Sequence, residues 1–152
     1  MIMRYLLTGV MIATLTPCSA SWAQTAVQTD LQSVAGDDSA FFFVADARRE
    51  SDQATAWVWQ VFLEPDTGSG ITVDAVAALY RFDCPARTLQ RERTEGYRGT
   101  EYMLGSSEPG PVLPAAPETV GHFLVEAACE GRVRDGFGRF SDLSTALEAS
   151  RL

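Results

Sequence analysis

The stretch TAWVWQVFLEPDTGSGITVDAVAALYRFDC, residues 55–84, decides the fold class. Thr55 to Leu63 is dense in β-branched and aromatic residues, which suit a pleated, half-buried surface. Strand alternation points Trp57, Trp59, Val61 and Leu63 one way and Ala56, Val58, Gln60 and Phe62 the other. Both sides are largely apolar, as in a central strand covered on both faces. The segment PDTGSG (65–70) is a turn by composition. Ile71 to Cys84 then forms a second long strand with Val76, Ala78, Tyr80 and Phe82 on one face. A short turn between two strands makes them antiparallel neighbours.

Working outward, Phe41 to Val44 is a short apolar strand bounded by Gly36-Asp37-Asp38 and by Asp46, with a polar connector from Arg48 to Gln53. Downstream, Arg87 to Arg93 is expected to be extended, with Leu89 its only large apolar residue. Polar residues on both sides suit an edge strand, where charge discourages pairing with other chains. Tyr97 to Leu104 is one more short strand. Residues 105–117, GSSEPGPVLPAAP, form a loop with prolines at 109, 111, 114 and 117.

Val120, Phe123, Leu124, Ala127 and Ala128 follow the i, i+3, i+4, i+7, i+8 spacing of one helical face. Pro117 suits the first turn, Glu118 the positive helix end, and Gly131 a stop. Cys129 lies in the last turn. Beyond it, residues 131–140 read as irregular or weakly extended. Ser141 to Leu152 reads as a short helix with Leu143, Ala146 and Leu147 inward. The fold class is therefore α+β: a small antiparallel β-sheet with a C-terminal helix packed on it.

The chain of 152 residues suits one domain. Its start, MIMRYLLTGVMIATLTPCSASWAQ, has a positive n-region at Arg4, an apolar core from Tyr5 to Leu15, and small residues at Ser21 and Ala23. This is the pattern of a secretory signal peptide cut after Ala23. The apolar run is short of the ~20 residues of a spanning helix, which disfavours an anchor. Lipidation at Cys18 is a weaker alternative, because Pro17 fits a lipobox poorly. The expected organisation is a signal peptide (1–23), a polar leader whose end joins the domain (24–38), the domain (39–130) and a C-terminal tail (131–152). No membrane span is expected in the mature chain, and the expected localisation is exported: periplasmic, at the outer cell surface or secreted. The net charge is −8, and losing Arg4 makes it −9. Such an acidic chain is repelled by nucleic acid.

After cleavage two cysteines remain, Cys84 and Cys129. An even count in an oxidising compartment reads as a disulfide, with two separate buried thiols as the alternative. Chemistry beyond that is sparse. His122 is the one histidine. It lies on the helix off the apolar stripe, so an exposed helical residue is a better reading than a catalytic base. One histidine and two cysteines fall short of a transition-metal site. Asp37-Asp38 and Asp83 carry little information in so acidic a chain, and Asp83 can simply bond local backbone groups. No phosphate-cradling or calcium-loop motif is present. The chain reads as a non-enzymatic binding or envelope protein without a cofactor, with a periplasmic enzyme or enzyme inhibitor of unknown substrate, or a structural envelope component, as the alternatives. Arg87, Arg91 and Arg93 share one strand parity, with Arg98 nearby. They form a candidate binding face for an extracellular protein or anionic glycan, or simply a solvated edge.

The stretch AVAALYRFDCPARTLQ (75–90), followed by GYRG (96–99), the Pro-rich loop and a helix ending in AAC (127–129), resembles the surface-adhesin protein E family of exported bacterial proteins. AFFFVADARRES (40–51) and TAWVWQV (55–61) resemble its opening strands. The resemblance covers roughly residues 31 to 130. It implies a compact antiparallel sheet carrying a C-terminal helix, with Cys84 and Cys129 at the positions of a strand-to-helix disulfide. It also implies an adhesin-like protein, since the name-giving members bind host extracellular-matrix and plasma proteins. No ligand-contact motif of the family maps onto this chain.

Overall fold

A computed structural model describes residues 30–68, 70–133 and 138–151. The signal-peptide, lipidation and most of the leader expectations fall on residues outside that set. The described residues form an antiparallel sheet of eight strands with two short helices: β1 (Leu31–Gly36), β2 (Ala40–Glu50), β3 (Gln53–Asp66), β4 (Val73–Asp83), β5 (Thr88–Arg98), β6 (Glu101–Ser106), β7 (Val112–Pro114), α1 (Val120–Glu130), β8 (Arg139–Phe140) and α2 (Leu143–Ser150). The strand order is β6-β5-β4-β3-β2-β1-β8, and β7 also pairs with β5. The molecule is thus mostly sheet rather than the balanced α+β expected.

The β3–β4 hairpin holds the middle of the sheet, as its two apolar faces require. One core contains Ala56, Val58 and Phe82 with Leu124, Val125, Ala127 and Ala128 of α1. The other contains Trp59, Val61, Ala75 and Ala77 with Leu143, Ala146 and Leu147 of α2. The helices therefore lie on opposite faces, and β3 is covered on both sides. Trp59 stacks against Tyr97 at 5.2 Å between ring centroids. Phe43 meets Phe140 edge-on at 5.6 Å.

Four expectations are corrected. Leu31 to Gly36, placed in a polar leader, is a sheet strand with Leu31 and Val34 buried; alternation over only six residues leaves a weak pattern. The polar connector Arg48 to Gln53 is strand except for the two-residue turn Ser51-Asp52: Arg48 pairs with Thr55 and Arg49 with Ala54. Backbone pairing there needs no apolar side chains. The edge strand expected at Arg87 to Arg93 is, from Thr88 on, part of β5, which runs on through Arg98. It is paired with β4 on one side and with β6 and β7 on the other. The Pro-rich loop supplies β7, closing the edge that charge was expected to protect. Finally, Pro117 and Glu118 precede α1. Thr119 caps the helix, its side chain accepting from the His122 N–H, and Gly131 ends it in the left-handed region with φ 64°.

Cys84 and Cys129 form a disulfide with Cα atoms 5.7 Å apart, within the usual range. It joins the β4–β5 turn to the last turn of α1. Asp83 accepts from the Ala86 N–H at 2.9 Å in that turn, the local backbone role anticipated for it. At the same end, an Arg49 N–H donates to the Cys129 carbonyl at 2.6 Å.

Candidate functional site: a groove between the sheet and helix α1

Helix α1 is shorter than the face it covers. Its 11 residues lie mainly over β1, β2 and β3. Toward β4 and β5 the sheet stays open and forms the floor of a groove of about 470 Å³. The strand registers lay out that floor. Phe42, Gln60 and Val76 run across β2 to β4, and Val58, Ala78 and Thr94 form the next row across β3 to β5. Tyr80 and Arg91 form the third. Leu113 of β7 and the first turn of α1, through Thr119 to Gly121, make the wall. Leu113 is 50% exposed at this rim.

The groove is apolar apart from a few polar side chains. Those of Gln60, Tyr80, Arg91 and Thr94 make no hydrogen bond or ion pair among the described residues. Burial pushes the Tyr80 phenol above its ordinary pKa, and the Arg91 guanidinium acts in the opposite sense. A free phenol already keeps its proton at neutral pH, so Tyr80 is a hydroxyl donor there. It lies directly across from Arg91 in the β4–β5 ladder. Arg91 itself is held by backbone: its carbonyl accepts from the Gly110 N–H at 2.8 Å. The Gln90 side chain donates to the Gly110 carbonyl at 3.0 Å, fixing the Pro-rich loop along β5.

The four arginines of the expected binding face are separated by the fold. Arg87 lies in the β4–β5 turn with φ 50°, outside the strand. It pairs with Glu130 at 3.0 Å and donates to His122 Nδ1 at 3.1 Å. That contact holds the Glu130 carboxyl below its usual range. A β-bulge falls between Arg91 and Arg93: Tyr80 faces Arg91, while Leu79 faces Arg93. The extra residue reverses strand parity. Arg91 therefore joins the α1 face and Arg93 the α2 face. Arg93 pairs with Glu95, which is 2% exposed and also accepts from the Tyr97 hydroxyl at 2.6 Å. Arg98 sits exposed at the end of β5, outside the groove.

His122 is half-buried beside Arg87 and 3.6 Å from Glu126, and it does not line the groove. Among the described residues, no group of three or more His, Cys, Asp or Glu side chains is placed to hold a metal ion. No described helix is long and apolar enough to cross a membrane. Sequence reasoning singled out Arg91 but missed Tyr80, its ladder partner, and Gln60 elsewhere in the same groove. Their signal was present, since each is a polar group on an otherwise apolar strand face. No family model, curated protein or solved structure matches the chain.

Proposed function

We propose that this chain is an exported, non-enzymatic binding protein of the bacterial cell envelope, adhesin-like in the sense implied by the resemblance to the surface-adhesin protein E family. The observation that carries the binding half of this reading is the groove on the α1 face. It is a concave apolar surface with polar groups left unpartnered, the usual composition of a ligand site. The Cys84–Cys129 disulfide suits an oxidising compartment and supports export more weakly. The alternative of a periplasmic enzyme or enzyme inhibitor would gain from a deep pocket enclosing His122 or several carboxylates, and neither lines this groove.

Cell fractionation combined with protease treatment of intact cells tests the reading. The expected result is a processed chain in the envelope, cleaved by external protease, that binds immobilised extracellular-matrix protein. An unprocessed chain in the cytoplasm would sink it. A processed chain out of reach of external protease would remove the adhesin-like part and leave a periplasmic binding protein.

A further inference from the structure

We propose that the groove on the α1 face binds a small amphipathic anion, a single carboxylate on an apolar chain, with Arg91 and Tyr80 holding the head group. The inference deepens the binding reading above and rests on it, naming the ligand class of the same site.

Charge is the first argument. The chain carries −8, and its carboxylates neutralise Arg81, Arg87, Arg93, Arg132 and Arg151 through ion pairs. Arg91 has no such partner among the described residues, and it stands at an apolar groove. Its planar guanidinium matches a carboxylate with two parallel N–H donors. The Tyr80 hydroxyl, directly across the ladder, adds a third donor. The first turn of α1 forms part of the same wall, and the positive end of its dipole favours an anion there.

The apolar half of the ligand follows from the floor. Val58, Val76 and Ala78 lead away from the Tyr80–Arg91 row along the strands, with Leu113 exposed at the rim. The cavity of about 470 Å³ falls in the range of small-molecule sites. A purely hydrocarbon ligand would cover the half-buried Tyr80 without satisfying its hydroxyl and would leave the exposed Arg91 unpaired, whereas a carboxylate engages both.

The probe is decanoate, compared with 1-decanol and decyltrimethylammonium, titrated into the purified mature chain with its disulfide intact. Binding is followed by calorimetry and by amide chemical shifts. Decanoate is expected to bind one to one and shift the amides of β4, β5 and the first turn of α1. Decanol should bind more weakly and the cation not at all. Arg91→Gln should weaken decanoate about tenfold or more, the scale of one charge-assisted hydrogen bond, without changing decanol. Tyr80→Phe should weaken it several-fold. Arg98→Gln removes an arginine outside the groove and should change neither. Undiminished decanoate binding by Arg91→Gln overturns the proposal, as does no binding at millimolar decanoate. A groove occupied by a second copy of the chain would give a concentration-dependent dimer without decanoate binding, and that result also overturns it. A surface-exposed chain that binds matrix protein but not decanoate would refute this inference alone and leave the adhesin-like reading in place.

Discussion

At the scale of single residues, the bulge between Arg91 and Arg93 has the largest consequence. One extra residue in β5 sends Arg91 into the groove and Arg93 to the opposite face, where it neutralises the buried Glu95. Arg93→Glu is therefore a test of folding, because it sets two carboxylates side by side in a buried place. Arg93→Ala should cost about 2 kcal/mol in urea denaturation, less than a fully buried pair because Arg93 is 37% exposed. Arg91→Ala, which breaks no ion pair, should change stability by less than about 0.5 kcal/mol. Tyr97 gives the matching pH test. Burial, then its hydrogen bond to Glu95, raises the phenol well above its ordinary pKa. The folded chain therefore holds this proton more tightly than the unfolded chain, whose tyrosines titrate near ~10. The stabilisation is complete below that pH and is lost as pH rises beyond it. The denaturation midpoint should fall above pH ~10, and the fall should be shallower in Tyr97→Phe.

At the scale of elements, the two helices are fixed by different devices. Helix α1 is pinned at its end by the disulfide, whose cysteines are 45 residues apart in sequence. The chain-entropy model assigns such a loop about 4 kcal/mol, an upper figure that ignores native strain. Replacing both cysteines with alanine should lower unfolding free energy by up to that amount. Mass measurement after alkylation of the unreduced chain should find no free thiol at Cys84 or Cys129. Helix α2 has no cross-link, and its start depends on Asp142, which accepts from the Thr145 N–H at 2.9 Å. That backbone bond holds the Asp142 carboxyl below its usual range. The capping contribution is therefore present above the unfolded aspartate pKa and fades as pH falls below it. Asp142→Ala should cost about 1 kcal/mol and speed amide exchange in α2 before any other element.

At the scale of the whole molecule, two short helices cover opposite faces of one sheet, and neither covers its face completely. The part of the α1 face left open becomes the groove. The sheet core was legible because β3 and β4 carry long, β-rich alternating runs. Alternation correctly grouped Trp57, Trp59 and Val61 apart from Ala56 and Val58. The helix face of α1 and the inward residues Leu143, Ala146 and Leu147 were legible for the same reason, a period of sufficient length. Legibility failed where pairing rests on backbone alone, as in Arg48 to Glu50 and in β7, and where a bulge resets parity. The candidate site was legible only in fragments, with Arg91 visible as a cation but not as the partner of Tyr80.

The sequence by itself determined a central antiparallel hairpin with two apolar faces, a helix ending at Gly131 and the pairing choice open to Cys84 and Cys129. These follow from local periodicity and residue chemistry, which need no knowledge of distant neighbours. Only the tertiary structure decided that the tail helix closes the second face, that β5 is interior, and that Arg91 and Arg93 diverge. Each of those outcomes depends on register between strands. Register is set by contacts across the sheet, and one bulged residue is enough to move a side chain from one face to the other.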